Sequence, residues 1–205
     1  MSQRISSTDR AAYLSLSILG VVGTILIALI ACLATNGLPV ARSHQSAHST
    51  IPAALRLSIV AQKPGSSVQG PAYMPTTDLA LPAHSLVTIT IVNQDAGDTS
   101  LTPNSPFAKV TGTSGGMAYL DGQPYRALDA SKVAHTFTIP QLGVNVPIPG
   151  DIPQGQKTIT VTFSFMTGNA GTYMWRCMDP CGSNSDGWGG PMVMPGYMQG
   201  TLAVE

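Results

Sequence analysis

Two cysteines and one histidine are the side chains of this chain best suited to hold a soft metal ion. Cys177 and Cys181 lie four positions apart in the run GTYMWRCMDPCG, residues 171–182. His135 lies upstream in the alternating run AHTFTI, which predicts a strand. Five of the nine methionines fall within residues 174–198. Clustered methionines can fill a core; beside a thiol and an imidazole, a soft-metal pocket is the alternative, because thioether sulfur suits copper.

Alternating strands are predicted to position these residues. The chain has 21 glycines and 16 prolines and lacks helix-period patterns after residue 40, which indicates an all-β domain with long loops. Residues 96–131 have weak periodicity and are predicted to form a long insertion, either a cap or a docking surface. His84 falls in a turn and is expected to be exposed. The predicted strands lie within residues 55–62, 74–95, 134–145, 157–165, 171–177 and 198–205.

Composition restricts the classes of function. The net charge is zero and only 10% of residues are charged. A nucleic-acid partner would require a basic patch, which this chain lacks. The sequence contains no recognisable catalytic triad, phosphate loop or carboxylate pair, so enzymatic activity has little support.

An apolar segment near the N-terminus predicts a membrane anchor. Residues 11–35 are long enough to span a bilayer as one helix. Arg4 and Arg10 precede this segment, which predicts residues 1–10 in the cytoplasm and the rest outside. The alternatives are a cleaved signal peptide and a lipid-bearing Cys32. Residues 36–54 form a polar linker, and the predicted location is the cell membrane, single-pass, with an extracytoplasmic C-terminal domain.

The chain resembles the cupredoxin superfamily. The resemblance rests on a leucine-proline-alanine turn, an Asn-x-Asp corner at residues 93–95, a histidine on a strand and a cysteine after a later strand. It implies an all-β, cupredoxin-like Greek-key β-sandwich over residues 55–205, preceded by one transmembrane helix. It also implies that His135 and Cys177 are adjacent copper ligands. Met198, in the run GYMQG, would occupy the position of the axial ligand.

The spacing of the two cysteines resembles a more particular site, the binuclear CuA loop of cytochrome c oxidase subunit II. That resemblance implies that Cys181 joins the metal ligands. The family's next histidine and methionine are replaced here by Ser185 and Trp188. Met192 or Met194 would then lie nearest the position of the missing histidine.

These observations predict a membrane-anchored copper protein that acts in electron transfer, as a subunit of or donor to a respiratory oxidase. Its partners would be a redox protein or membrane oxidase subunits. Two alternatives stay open. One is a metal-free structural subunit with a Cys177–Cys181 disulfide, which an oxidising compartment and the short spacing permit. The other is a module that binds or delivers Cu(I).

Overall fold

The computed structural model describes residues 53–97 and 99–205. Within these residues the backbone forms eleven strands and five short 3-10 helices, without an α-helix. The strands are β1 (Ala53–Val60), β2 (Ala72–Met74), β3 (Leu79–Leu81), β4 (Leu86–Asn93), β5 (Ala118–Leu120), β6 (Gln123–Tyr125), β7 (Val133–Ile139), β8 (Val144–Pro149), β9 (Ile159–Met166), β10 (Gly171–Arg176) and β11 (Gln199–Val204). The 3-10 helices are Pro106–Ala108, Ser114–Gly116, Ala130–Lys132, Pro140–Leu142 and Gly190–Met192.

The strands form two sheets that enclose one apolar core. The first sheet has the order β2-β1-β4-β9-β5-β6 and the second has the order β3-β11-β10-β7-β8. Strand β1 runs parallel to β4, and β3 runs parallel to β11. The predicted all-β sandwich is therefore confirmed. Strand β1 begins at Ala53, two residues before the predicted boundary, because Ala53 and Ala54 already pair with β4.

The predicted membrane anchor, residues 11–35, lies outside the described residues. The cytoplasmic segment 1–10 and nearly all of the linker 36–54 lie outside them as well. In the part of the chain that is described, no helix is both long and apolar enough to cross a membrane. The anchor and the extracytoplasmic position of the domain therefore stay predictions.

The alternation of apolar and polar residues explains why the two central strands of the first sheet form. Strands β4 and β9 bury every second side chain, as their sequences LVTITIVN and ITVTFSFM predict. Their inner face meets aromatic side chains of the second sheet. The ring of Phe137 on β7 stacks on Trp175 of β10 with centroids 4.9 Å apart, and its centroid lies 5.7 Å from that of Phe163 on β9. This packing fixes β7 and β10, the two strands that position the predicted metal ligands.

The insertion at residues 96–131 has structure of its own. Strands β5 and β6 extend the first sheet beyond β9. The 3-10 helix Pro106–Ala108 belongs to a second, smaller apolar cluster beside β7. The insertion therefore enlarges one sheet and packs against the other. The buried members of the smaller cluster are Leu101, Ala108 and Val133.

Strand β7 is covered on both faces, although its alternation predicted one apolar and one polar face. All seven of its residues are buried. The Thr136 and Thr138 hydroxyls hydrogen-bond each other at 2.9 Å, and Thr138 donates to the Asn145 side chain. Asn145 donates in turn to the carbonyls of Phe107 and Lys109 in the insertion. The insertion thus covers the outer face of β7 and supplies partners for its polar groups.

Candidate metal centre

Three of the four predicted metal ligands come together at one end of the second sheet, and the backbone of the fourth, Met198, bonds to that of Cys177. His135 lies on β7, Cys177 directly follows β10, Cys181 lies in the next loop, and Met198 directly precedes β11. All four side chains are buried. One ligand atom from each of His135, Cys177 and Cys181 lies within 4.8 Å of the other two. Two donor atoms that each lie about 2.0–2.3 Å from one ion are at most about 4.6 Å from each other. Small adjustments of the side chains would therefore let the three atoms bind the same ion.

Strand pairing brings Met198 to the same point. Arg176 is the last residue of β10 and pairs with Gln199 on β11, and continuing this register places Cys177 opposite Met198. The backbone N–H of Cys177 donates to the Met198 carbonyl at 2.8 Å. Residues directly opposite each other in an antiparallel pair project to the same face. Met198 is therefore placed against Cys177, while its role as an axial ligand stays a prediction.

His135 is oriented by a carboxylate. Its Nε2 hydrogen-bonds Asp95 Oδ2 at 2.9 Å, and its side chain is fully buried. Asp95 is held by Asn93, which accepts from the Asp95 backbone N–H at 3.0 Å and donates to the Pro149 carbonyl. These contacts connect the ends of β4 and β8 to the histidine. The Asn-x-Asp corner was part of the sequence resemblance, but its contact with His135, across 40 positions, was not predicted.

The other ring nitrogen of His135 fits a metal ion. Nδ1 is buried and has no hydrogen-bond partner among the described residues. Buried polar atoms without a partner are rare and need an explanation. With Nε2–H donating to Asp95, Nδ1 carries the lone pair that a metal ion would bind. A buried imidazole that keeps one nitrogen without a partner, beside two thiols, is therefore the observation that fits this site to copper.

The surroundings of Cys177 favour the thiolate form of its side chain. Its Sγ accepts the Thr136 backbone N–H at 3.3 Å and lies 3.5 Å from Cys181 Sγ. Burial alone would raise the pKa of Cys177, but the adjacent Cys181 thiol and the His135 imidazole outweigh burial and hold that pKa well below its usual value. The hydrogen bond to Cys177, followed by burial, raises the pKa of Cys181. One thiolate and one thiol therefore lie side by side.

The positive charge of the His135 imidazole is opposite to that of this thiolate. Burial on its own lowers the pKa of His135, but the hydrogen bond to Asp95 and the adjacent Cys177 outweigh burial and raise the pKa to about 9. Without a metal ion, the imidazole and the thiolate form a buried pair of opposite charges. Both cysteines are free thiols, so the alternative of a Cys177–Cys181 disulfide is not found in this structure.

Asp179, between the two cysteines, is a buried carboxylate that the sequence analysis did not single out. Neither of its side-chain oxygens has a hydrogen-bond partner among the described residues. Burial, and then the charge of Cys177, raises the pKa of Asp179 to about 8. The loop therefore keeps a protonated, uncharged carboxyl near the thiolate at neutral pH.

The methionines of the long loop differ from one another. Met192 is buried, and its Sδ lies 3.3 Å from Cys181 Sγ. Met194 is 41% exposed, so it does not line the centre. Trp188 is partly exposed and stacks near the Arg176 guanidinium, with 5.7 Å between the guanidinium carbon and the ring centroid. His84 lies exposed in its turn, as predicted.

The contact between Asp95 and His135 yields a prediction about affinity. Replacing Asp95 by Asn removes the negative charge that supports the histidine but nearly preserves the side-chain shape. We expect copper affinity to fall about tenfold, the lower end of the cost of losing such a support. Competition with a chelator of known affinity measures the copper affinity of the variant. Asp151→Asn, which breaks only an exposed ion pair with Lys132, is the control and should bind as the unaltered protein does. Equal affinities in both variants would contradict a supporting role for Asp95.

The fold and the centre together define a class of protein, a β-sandwich with a candidate soft-metal site. The chain carries a cupredoxin-like β-sandwich with imidazole, thiol and thioether groups buried at one end. No protein-family model matches the chain, and no curated protein matches it either.

Comparison with solved structures finds similar chains at low sequence identity. Auracyanin B is 16% identical over 75% of this chain and 90% of that chain, with a TM-score of 0.30. Rusticyanin from Thiobacillus ferrooxidans is 17% identical over 74% and 77%, with a TM-score of 0.33. The blue copper oxidase from Nitrosomonas europaea is 14% identical over 82% and 46%, with a TM-score of 0.36. All three are cupredoxins. The closer resemblance to cytochrome c oxidase subunit II stays a prediction.

Proposed function

We propose that this protein binds copper and transfers electrons. The observation that carries the proposal is the cluster of His135, Cys177 and Cys181, whose ligand atoms lie within 4.8 Å of one another. Copper prefers this combination of imidazole, thiolate and thioether donors. Bound at the site, copper would supply a one-electron couple.

The protein's own residues prepare this site. Asp95 aims the imidazole, and the Thr136 backbone N–H orients the Cys177 sulfur. Phe137 and Trp175 are fully buried next to these ligands along their strands. This apolar shell excludes water, which limits the reorganisation that accompanies a change of charge and tunes the potential. A rigid, dry and pre-oriented set of donors is suited to electron transfer rather than to bond-making chemistry.

We further propose that the protein is membrane-anchored and acts with a respiratory oxidase. The support is the apolar segment 11–35 with arginines on one side only, together with the two-cysteine loop that resembles subunit II. Ser185 and Trp188 depart from the ligands of that family, and both are exposed here. A donor to the oxidase or a modified subunit fits these observations equally well.

Carriage of Cu(I) is a second candidate function, and the number of histidines favours it. His135 is the one histidine in the centre among the described residues, since His84 lies exposed in a turn. Sulfur donors select Cu(I), whereas imidazole also suits Cu(II). A protein with this donor set could store or deliver Cu(I).

Copper titration of the reduced full-length protein in detergent tests the proposal. We expect one copper-dependent charge-transfer absorption in the visible range, which comes from the Cys177 thiolate, and its reversible loss on one-electron reduction. A multi-band spectrum with two copper ions per chain would favour the binuclear site. Tight uptake of Cu(I) without colour on exposure to Cu(II) would favour Cu(I) carriage. The absence of copper binding in either oxidation state would contradict both functions and favour the structural alternative.

A further inference from the structure

Met192 contacts the thiol cluster through its sulfur. Its Sδ lies 3.3 Å from Cys181 Sγ, which itself lies 3.5 Å from Cys177 Sγ. The Met192 side chain is only 2% exposed. Three sulfur atoms therefore form a continuous row, with the His135 imidazole within 4.8 Å of both thiols. Met192 extends the row on the Cys181 side, whereas Met198 pairs with Cys177.

The loop after Cys181 is built to hold Met192 in this position. The backbone folds back on itself, with Gly182 N–H donating to the Gly187 carbonyl at 2.7 Å and Gly189 N–H donating to the Ser183 carbonyl at 2.8 Å. Gly190 then adopts a left-handed conformation, with φ of 56°, at the start of the 3-10 helix Gly190–Met192. Few residues other than glycine accept this conformation.

Gly182 leaves the space that the Met192 side chain fills. A Cβ at Gly182 would lie 2.7 Å from Met192 Cγ and 2.1 Å from the Gly189 carbonyl oxygen. Any larger residue at 182 would push the methionine or the loop away from Cys181. The glycine directly after the second cysteine thus brings the thioether into contact with the thiol.

We propose that Met192 is a ligand of the copper centre, bound through Sδ on the Cys181 side, where the resembled family has a second histidine. This inference rests on the proposed copper function. A thioether is a soft, neutral donor that favours Cu(I). The centre then has one imidazole, two cysteine sulfurs and the Met192 thioether. Such a set of soft donors favours Cu(I) over Cu(II).

The test measures copper–selenium scattering by X-ray absorption in the Cu(I)-loaded, selenomethionine-labelled full-length protein. We expect scattering from selenium at bonding distance in the unaltered protein. Met192→Leu keeps nearly the same volume and should reduce this scattering. Met194→Leu, on the same loop but exposed, is the matched control and should leave the scattering unchanged. Met198→Leu should retain the contribution of Met192.

Cu(I) affinity provides the second measurement, by competition with bathocuproine disulfonate. We expect Met192→Leu to weaken Cu(I) binding on the order of tenfold relative to Met194→Leu, an effect typical of losing a partner in a metal site. Copper binding with no selenium at bonding distance, or with equal scattering in Met192→Leu and Met194→Leu, would overturn the role of Met192 and leave the copper function standing. Failure of the unaltered protein to bind copper would overturn both. If Met192→Leu does not fold, complete loss of selenium scattering in Met198→Leu overturns the proposal.

Discussion

Cys177→Ser is expected to lose most of the thiolate-to-copper charge-transfer absorption. Cys177 is the thiol that the site holds as a thiolate, because Cys181, His135 and the Thr136 backbone N–H all stabilise its charge. In the unaltered site the hydrogen bond to Cys177, followed by burial, raises the pKa of the Cys181 thiol. A serine hydroxyl at 177 can occupy the same space but does not give the soft, easily oxidised donor that produces the absorption. Visible spectra of the copper-titrated variant provide the measurement.

Cys181→Ser is the control for this experiment. It leaves the Cys177 sulfur and its hydrogen bond from Thr136 in place, so we expect a mononuclear thiolate spectrum with altered bands. Copper affinity should still fall, since one donor of the cluster is lost. Strong visible absorption in Cys177→Ser, or its complete loss in Cys181→Ser alone, would reverse the roles that we assign to the two thiols.

Much of the sandwich was predictable because its strands are half buried. Strands β4 and β9 each expose one face, so their hydrophobic residues alternate and reveal the strand directly. The two cysteines and His135 were recognisable as candidate ligands. Cys177 follows a strand, Cys181 lies in the next loop and the histidine lies within a strand. Local sequence pattern was sufficient for these features.

Strand β8 shows where local pattern fails. All six of its residues are buried, so they do not alternate, and two of them are prolines. Proline cannot donate a hydrogen bond to a neighbouring strand, which normally argues against a strand. Strand β8 tolerates Pro147 and Pro149 because it lies at the edge of its sheet, where one side needs no partner. Position within the sheet, which is a property of the whole fold, decides this element.

The long-range contacts around the metal centre could not be predicted from the sequence either. The carboxylate of Asp95 reaches His135 only because the end of β4 and the start of β7 lie at the same place in the folded chain. The sequence left Met192 and Met194 as equal candidates, whereas in the structure Met192 ends a 3-10 helix and is buried and Met194, two residues later, is exposed. Such outcomes depend on loop geometry and on which surfaces are covered, and neither is encoded in a short window of sequence.

Phe137→Ala is expected to cause the largest loss of stability among single core substitutions at the metal end. The Phe137 ring is fully buried between the sheets and lies 4.9 Å from Trp175, 5.7 Å from Phe163 and 6.2 Å from Tyr73, measured between ring centroids. Removing it deletes the central ring of this group and leaves a cavity. The expected decrease in the free energy of unfolding is about 3–5 kcal/mol, a large part of the roughly 5–15 kcal/mol that stabilises a typical domain.

Denaturant unfolding of the metal-free, reduced protein, followed by tryptophan fluorescence, measures this loss. Leu86→Ala is the control, because Leu86 begins β4 and is 38% exposed; its effect should stay within about 0.5 kcal/mol. His135 lies two positions before Phe137 on the same face of β7, so the cavity would also loosen the imidazole and reduce copper affinity. A loss below about 1 kcal/mol, the average for any point substitution, would mean that the aromatic cluster does not hold the two sheets together at this end.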